Sequence, residues 1–316
     1  MGTPDFAVPS LDALVAAGYP VVGVVTATDK LGGRGGKQLL ESAVKRAALG
    51  HGIPVLQPEK FRDADFQRAL RELRPDLQVV VAFRMLPESV WGLPPLGTFN
   101  LHGSLLPKYR GAAPINWAVI NGDTETGCTT FFIRHAIDTG DVLLRHRLPI
   151  GPDETAGELH DRMMVAGAEL VVDTVRLIES GDYRPERQDD SLATPAPKLY
   201  RHNCRIDWSR PVAEVHNFVR GLSPWPAAWT MLNNAQLKVV RGAVLTESTA
   251  PAAPPPRPAP AAPPGTVLTD DGSFLHVVCG DGGVLAVEQL QLAGKRRMAT
   301  ADFLRGTALP PGLVLV

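Results

Sequence analysis

The chain is poor in cysteine, in long apolar runs and in net charge, and each shortage removes a class of function. Three cysteines occur among 316 residues, Cys128, Cys204 and Cys279. They are odd in number and far apart, which gives neither a disulfide framework nor metal-ligand spacing. Reduced, buried thiols of a cytoplasmic protein are expected, with no metal. No apolar stretch approaches the length of a membrane span, so no membrane partner is expected. No Lys or Arg precedes Lys30, whereas Asp5 and Asp12 do, which does not read as a secretory signal. Met1-Gly2 invites N-myristoylation, but Phe6 stands where Ser or Thr is required. The formal net charge of −1 gives no general attraction for nucleic acid, so a polyanion must be held by a local patch.

What is present is ordinary globular material. Hydrophobic residues make up 44% and charged residues 21% of a chain long enough for two domains. "YPVVGVVTATD" (19–29) and "LQVVVAF" (77–83) read as strands covered on both faces. Helix-like segments precede the first and fill the interval between them, a pattern that predicts a parallel α/β sheet. A long helix is expected over 155–181, opened by the capping-box pair Thr155 and Glu158 and closed by Gly181. The polar, proline-containing stretch 182–203 reads as a linker between a domain over 1–181 and another over 204–316. Short strand-like runs with turn signals in the second part predict a small β-barrel-like domain. A Pro/Ala-rich insertion, 249–265, reads as an exposed extended loop because proline cannot join a sheet ladder.

The informative stretch is "TFNLHGSLLPKYRGAAPINWAVI" (98–120). Alternation along a strand puts Asn100 and His102 on one face, near the carboxyl end where open α/β sheets place ligand crevices. An amide donor beside an imidazole can hold a carbonyl oxygen. An ordinary strand end with solvated polar residues has the same pattern, and this fragment alone does not separate the two. Asp138 lies 138 − 102 = 36 residues beyond His102, in a polar loop that also carries Asp141. A helix and a strand fill the interval, a path that can return a carboxylate to the imidazole. "DKLGGRGGKQLL" (29–40) fails as a phosphate loop, because Leu31 and Gln38 stand where Gly and Ser or Thr are needed.

Asn100-Leu101-His102, "SLLPKYRG" and "IDTGD" at this spacing resemble the 10-formyltetrahydrofolate-dependent formyltransferases. "GTPDFAVPSLDAL" and "IDWSRPVAEVHNFVRGLSPWPAAW" extend the resemblance over almost the whole chain, the latter to a C-terminal domain that shorter members lack. The resemblance implies a Rossmann-like formyltransferase domain followed by a small OB-like β-barrel domain. It implies formyl transfer from 10-formyltetrahydrofolate to the α-amino group of initiator methionyl-tRNA by a monomer, with Asn100, His102 and Asp138 as the catalytic set. Folate contacts are then expected from Phe83, Met85, Leu86 and Pro87, from Ser104, Leu105, Leu106 and Pro107, and from His135, Ile137 and Asp141. Contacts to tRNA are expected from Arg34, Lys30, Lys37 and Arg110, and from Lys295 and Arg296. Relatives carry an apolar strand ahead of the segment matching Gly2-Thr3-Pro4, so the first strand of the sheet is expected upstream of Met1.

Overall fold

The structure, a computed structural model, describes residues 1–32, 35–245 and 262–316. Arg34 and the insertion up to residue 261 lie outside the described residues. In chain order the elements begin α1 (Val8–Ala16), β1 (Val24–Val25), β2 (Lys30–Gly32), β3 (Gln38–Leu40), α2 (Ala43–Gly50), β4 (Val55–Leu56), α3 (Ala64–Glu72) and β5 (Gln78–Val81). Then follow α4 (Glu88–Trp91), β6 (Thr98–His102), β7 (Arg110–Gly111), α5 (Pro114–Ile120), β8 (Glu125–Phe132), β9 (Val142–Pro149), α6 (Ala156–Ser180) and β10 (Pro195–Ala196). The last part holds α7 (Val212–Gly221), β11 (Ala228–Leu232), β12 (Ala235–Val244), β13 (Val267–Thr269), β14 (Leu275–Val278), β15 (Val284–Leu292), β16 (Met298–Ala299) and α8 (Thr300–Leu304). No helix among the described residues is long and apolar enough to cross a membrane.

Local chemistry accounts for the helix ends. Ser42 and Asp63 cap α2 and α3 by accepting hydrogen bonds from backbone N–H groups of the first turn. At α6 the Glu158 carboxylate accepts from the Thr155 N–H at 2.8 Å, and the Thr155 hydroxyl accepts from the Glu158 N–H at 3.2 Å. This is the capping box read from the sequence. Gly181, at φ +70°, ends the helix in the left-handed conformation that glycine adopts without penalty.

The chain divides into two compact units. The first comprises Met1–Pro114, Glu125–Pro149 and His160–Ala196; the second comprises Ile115–Thr124, Ile150–Leu159 and Pro197–Val316. These bounds differ from the division expected at 182–203. Residues 182–196 are structural parts of the first unit, where β10 pairs in parallel with β7. Their polar side chains bond within that unit, which is why their composition resembles that of a linker.

In the first unit, β1 pairs in parallel with β4, and β5 with β6. The sheet continues β6-β8-β9 with antiparallel pairing, so it is mixed rather than wholly parallel. A short connection joins β8 to β9, and a hairpin can only be antiparallel. Between β1 and β5 lie Met1 and Gly2. The Gly2 N–H donates to the Val25 carbonyl at 3.1 Å, and the Val81 N–H to the Met1 carbonyl at 2.9 Å. The Met1 amine is buried and donates to the Val79 carbonyl at 2.5 Å; burial lowers its pKa from 8.0 to about 5. Beside it lies a cavity of about 430 Å³, lined by residues that include Leu11, Gly23, Val24, Gln78 and Ile178. Two buried polar atoms from this lining, Ser10 Oγ and Gln78 Nε2, have no hydrogen-bond partner among the described residues.

The second unit is an antiparallel sheet in the order β11-β12-β15-β14-β13, with β16 added on β15. Residues 313–316 run between its two ends, bonding to Val267 and Gly265 on one side and to Met231 on the other. Val215, Val219 and Leu222 of the α7 region pack into its core with Leu237, Leu285 and Leu290. Cys204 and Cys279 lie in this core, and Cys128 is buried in the first unit. Burial pushes the Cys128 and Cys279 thiols up to about 12, which leaves them unreactive near neutrality.

Candidate active site

The site is built on the carboxyl end of β6. Val80 of β5 pairs with Asn100, and Thr129 of β8 lies opposite His102, so both polar residues sit on a central strand. His102 is buried and Asn100 half-buried. The Asn100 amide carries no hydrogen bond among the described residues. It is a donor held at a strand end and not consumed by the fold.

His102 Nε2 lies 2.8 Å from the Tyr109 carbonyl oxygen. A carbonyl only accepts, so Nε2 carries the hydrogen and the neutral ring leaves Nδ1 as an acceptor. Nδ1 faces Asp138 Oδ2 at 3.8 Å, within ion-pair range but beyond a direct hydrogen bond. The edge of the imidazole meets the Phe131 face at a centroid distance of 6.5 Å. Asn100, His102 and Asp138 therefore come together as the sequence suggested. The ring's Nε2, however, is already committed to main chain, which leaves Nδ1 as the nitrogen facing Asp138.

Asp138 is held from three sides. Its Oδ2 accepts from the Gly111 N–H at 2.9 Å. Its own φ of +55° is left-handed, a conformation that Asp tolerates better than most residues. The loop behind it is compressed at Gly140, where an added Cβ would stand 1.6 Å from the Phe132 carbonyl oxygen. Only glycine fits there. Gln188 completes the support: its amide donates to the Asp138 and Gly140 carbonyls, each at 2.8 Å, and its oxygen accepts from Arg110. Sequence reasoning missed Gln188, whose partners here are main-chain carbonyls and one arginine.

The loop after β6 is equally fixed. Ser104 donates to the Lys108 carbonyl at 2.5 Å, and Thr129 bonds both the Ser104 carbonyl and the Leu106 N–H. Ser104 and Leu106 are buried, while Leu105 and Pro107 are half-buried. Phe83 and Leu86 pack on the core near α4, and Pro87 is half-buried. Met85 and Ile137 stand in solvent, 70% and 58% exposed. His135 packs edge-on against Trp91 and lies 3.6 Å from Glu88, and Asp141 pairs with Arg134 at 2.5 Å.

The cations expected to meet RNA fall into two groups. Lys30 and Lys37 are exposed on the β2–β3 hairpin, and Lys295 and Arg296 are exposed after β15. Arg110 is instead turned onto the first unit, where Gln188 and Asp190 both accept from its guanidinium, the latter at 2.8 Å. These bonds use Nε and Nη2 and leave the Nη1 donors.

Residues 1–175 match the family described as "Formyl transferase", and residues 198–308 match "Formyl transferase, C-terminal domain". The chain is 52% identical over 311 residues to the methionyl-tRNA formyltransferase of Parabacteroides distasonis, covering 97% of this chain and 94% of the relative. It is 51% identical over 310 residues to the enzyme of that name from Bacteroides fragilis, covering 97% and 93%. Among solved structures, the N-formyltransferase of Helicobacter canadensis with folinic acid and dTDP-3-aminofucose shares the fold at a TM-score of 0.65. It is 18% identical, with 90% of this chain and 96% of that one covered. The chain belongs to the formyl transferase family and carries both its N-terminal and its C-terminal domain.

Proposed function

We propose that the protein transfers the formyl group of 10-formyltetrahydrofolate to the α-amino group of methionine on initiator methionyl-tRNA. The observation that carries this reading is the meeting of Asn100, His102 and Asp138 at the end of β6. They lie in a chain half-identical, over its length, to methionyl-tRNA formyltransferases. The folate supplies the formyl group in activated form. Met85 and Ile137, apolar and exposed on loops, suit the flat faces of a pterin. Phe83, Leu86, Pro87 and the 104–107 loop back them, and the polar groups of His135 and Asp141 lie at the rim.

Each chemical role follows from the state of the side chain. The free Asn100 amide donates to the oxygen of the formyl carbonyl, on which negative charge develops during attack. A preorganised donor of this kind is a large contributor to acyl transfer. His102 Nδ1, an acceptor in the tautomer fixed by Tyr109, takes the proton lost by the attacking amine and returns it to the folate nitrogen as the bond from that nitrogen to the formyl carbon breaks. The Asp138 carboxylate at 3.8 Å stabilises the resulting imidazolium by Coulomb attraction in a buried setting. Lys30, Lys37, Lys295 and Arg296 are free to meet phosphates. The role of Arg34 rests on the family resemblance.

The deciding assay incubates the protein with the formyl donor and methionine-charged initiator tRNA, with uncharged tRNA as control. Formylmethionine is expected on the charged tRNA alone. No transfer to charged tRNA by folded protein would refute the assignment.

A further inference from the structure

The five tryptophans of the chain include one that the fold does not use. Trp225 is 77% exposed, and it lies outside the clusters built around Leu237, Val80 and Leu106. Proline stands on both sides, which fixes φ at 224 and 226 and restricts the backbone of Trp225 itself. The indole is thus displayed in water on a stiff segment. Burying such a ring is normally favourable by kilocalories, so a fully displayed one marks a contact surface more often than a core element.

Two cations hold the prolines that flank it. Lys238 Nζ donates to the Pro226 carbonyl at 3.1 Å, and Arg297 donates to the Pro224 carbonyl, also at 3.1 Å. Each cation uses one donor in this way and keeps others. One strand over, Arg201 and Arg205 lie 5.6 and 5.7 Å from the centre of the Trp229 ring, and Trp229 pairs with Lys238 across β11 and β12. Arg201, Arg205, Lys238 and Arg297 form no ion pair with a carboxylate among the described residues. In a chain of net charge −1, four unpaired cations interleaved with two indoles are a local exception. Aromatic faces for bases, alternating with cations for phosphates, are the physical requirement of single-stranded nucleic-acid binding.

We propose that Trp225 is a stacking platform for an unpaired base of the RNA substrate, with Lys238 and Arg297 holding the phosphates on either side of that base. The proposal rests on the assignment of a tRNA substrate and adds to it a contact within the second unit.

The test measures binding of charged initiator tRNA, and its formylation, for wild type, Trp225→Ala and Trp225→Phe. Loss of one base stack is expected to raise Kd and KM of Trp225→Ala by about 5- to 150-fold, with kcat unchanged. Trp225→Phe keeps a π face and should recover most of the affinity. Lys238→Gln with Arg297→Gln should flatten the dependence of log K on log salt by about 1.4, at about 0.7 per single-strand phosphate. Melting temperatures should stay at the wild-type value for Trp225→Ala, because the ring is 77% exposed. If wild type formylates charged tRNA and Trp225→Ala binds it equally well, the stacking platform is refuted while the enzymatic assignment stands. If wild type neither binds nor formylates charged tRNA, both fall. If Trp225→Ala leaves RNA affinity intact but changes sedimentation of the protein alone, the indole belongs to a contact between two copies and the proposal is overturned.

Discussion

Gln188 donates its side-chain amide to the main-chain carbonyl of Asp138 across fifty residues of sequence. The carboxylate that faces His102 is therefore aimed by a residue from a distant segment, whose side chain bonds main chain and Arg110. Replacing Gln188 by Leu removes the bonds to the Asp138 and Gly140 carbonyls and to Arg110 together. Turnover should fall by about tenfold to a hundredfold, the range expected for a misplacement of roughly 1 Å. Gln188→Glu keeps the acceptor for Arg110 but loses the donor, and should be impaired in kcat with KM for tRNA unchanged. Steady-state kinetics would show this, and unaltered kcat in either variant would remove Gln188 from the positioning role.

Asn100→Ala should lower kcat by about 10²–10³-fold, the usual loss for one oxyanion donor. Stability should change little, because the amide bonds nothing in the fold. Single-turnover rates at saturating folate and tRNA read the chemical step directly. A rate within threefold of wild type would assign the oxyanion to another group.

Asp138→Asn preserves an oxygen for the Gly111 N–H and so should fold normally. It removes the charge facing His102 Nδ1 and should lower kcat by at least as much as Asn100→Ala. Circular dichroism confirms the fold, and retained turnover would detach Asp138 from proton transfer.

Thr155→Ala removes the hydroxyl that accepts from the Glu158 N–H and that donates to the Glu158 carboxylate, while the other arm of the capping box, from the main-chain N–H of residue 155, remains. A loss of about 1 kcal/mol is expected, read from the denaturant midpoint, with kcat unchanged. A midpoint identical to wild type would mean that solvent caps the helix equally well.

Burial depresses the Met1 amine from 8.0 to about 5. Between those values the unfolded chain holds a proton that the folded chain does not, so stability rises with pH across the window. The cost of charging the buried amine is fully present below pH 5 and vanishes above pH 8. The slope approaches at most about 1.4 kcal/mol per pH unit. Buried His216 and His276 are shifted downward by desolvation in the same sense, so the amine is isolated by comparison with N-terminally acetylated protein. Urea unfolding at pH 5 to 8 should show a steeper rise for the free amine than for the acetylated chain. Parallel curves would mean that the amine is hydrated.

Legibility from sequence followed the range of the interactions. The capping box of α6 depends on residues three apart, and Thr155 and Glu158 announce it. Asn100 and His102 sit two apart on one strand, so alternation alone puts them together. Asp138 could be reached because one helix and one strand return the chain. Gln188 could not: two of its partners are backbone carbonyls, which every residue possesses. Arg110 looks the same in sequence whether it is free or tied to Asp190 eighty residues later. The stretch around Gln188 read as a linker for the same reason, since its polar groups satisfy other polar groups and leave no apolar periodicity.

The oxygen that fixes the His102 tautomer belongs to the peptide unit of Tyr109, not to a side chain. Substitution at 109 changes what surrounds that oxygen but cannot delete it. Genetic drift can rewrite the residue and still inherit the same protonation pattern, provided the loop keeps its path. The path is fixed elsewhere, in part by the Thr194 hydroxyl that receives the Tyr109 N–H at 2.9 Å. A library that randomises position 109 would therefore explore size and polarity beside the imidazole, whereas one that randomises position 194 would explore its chemistry.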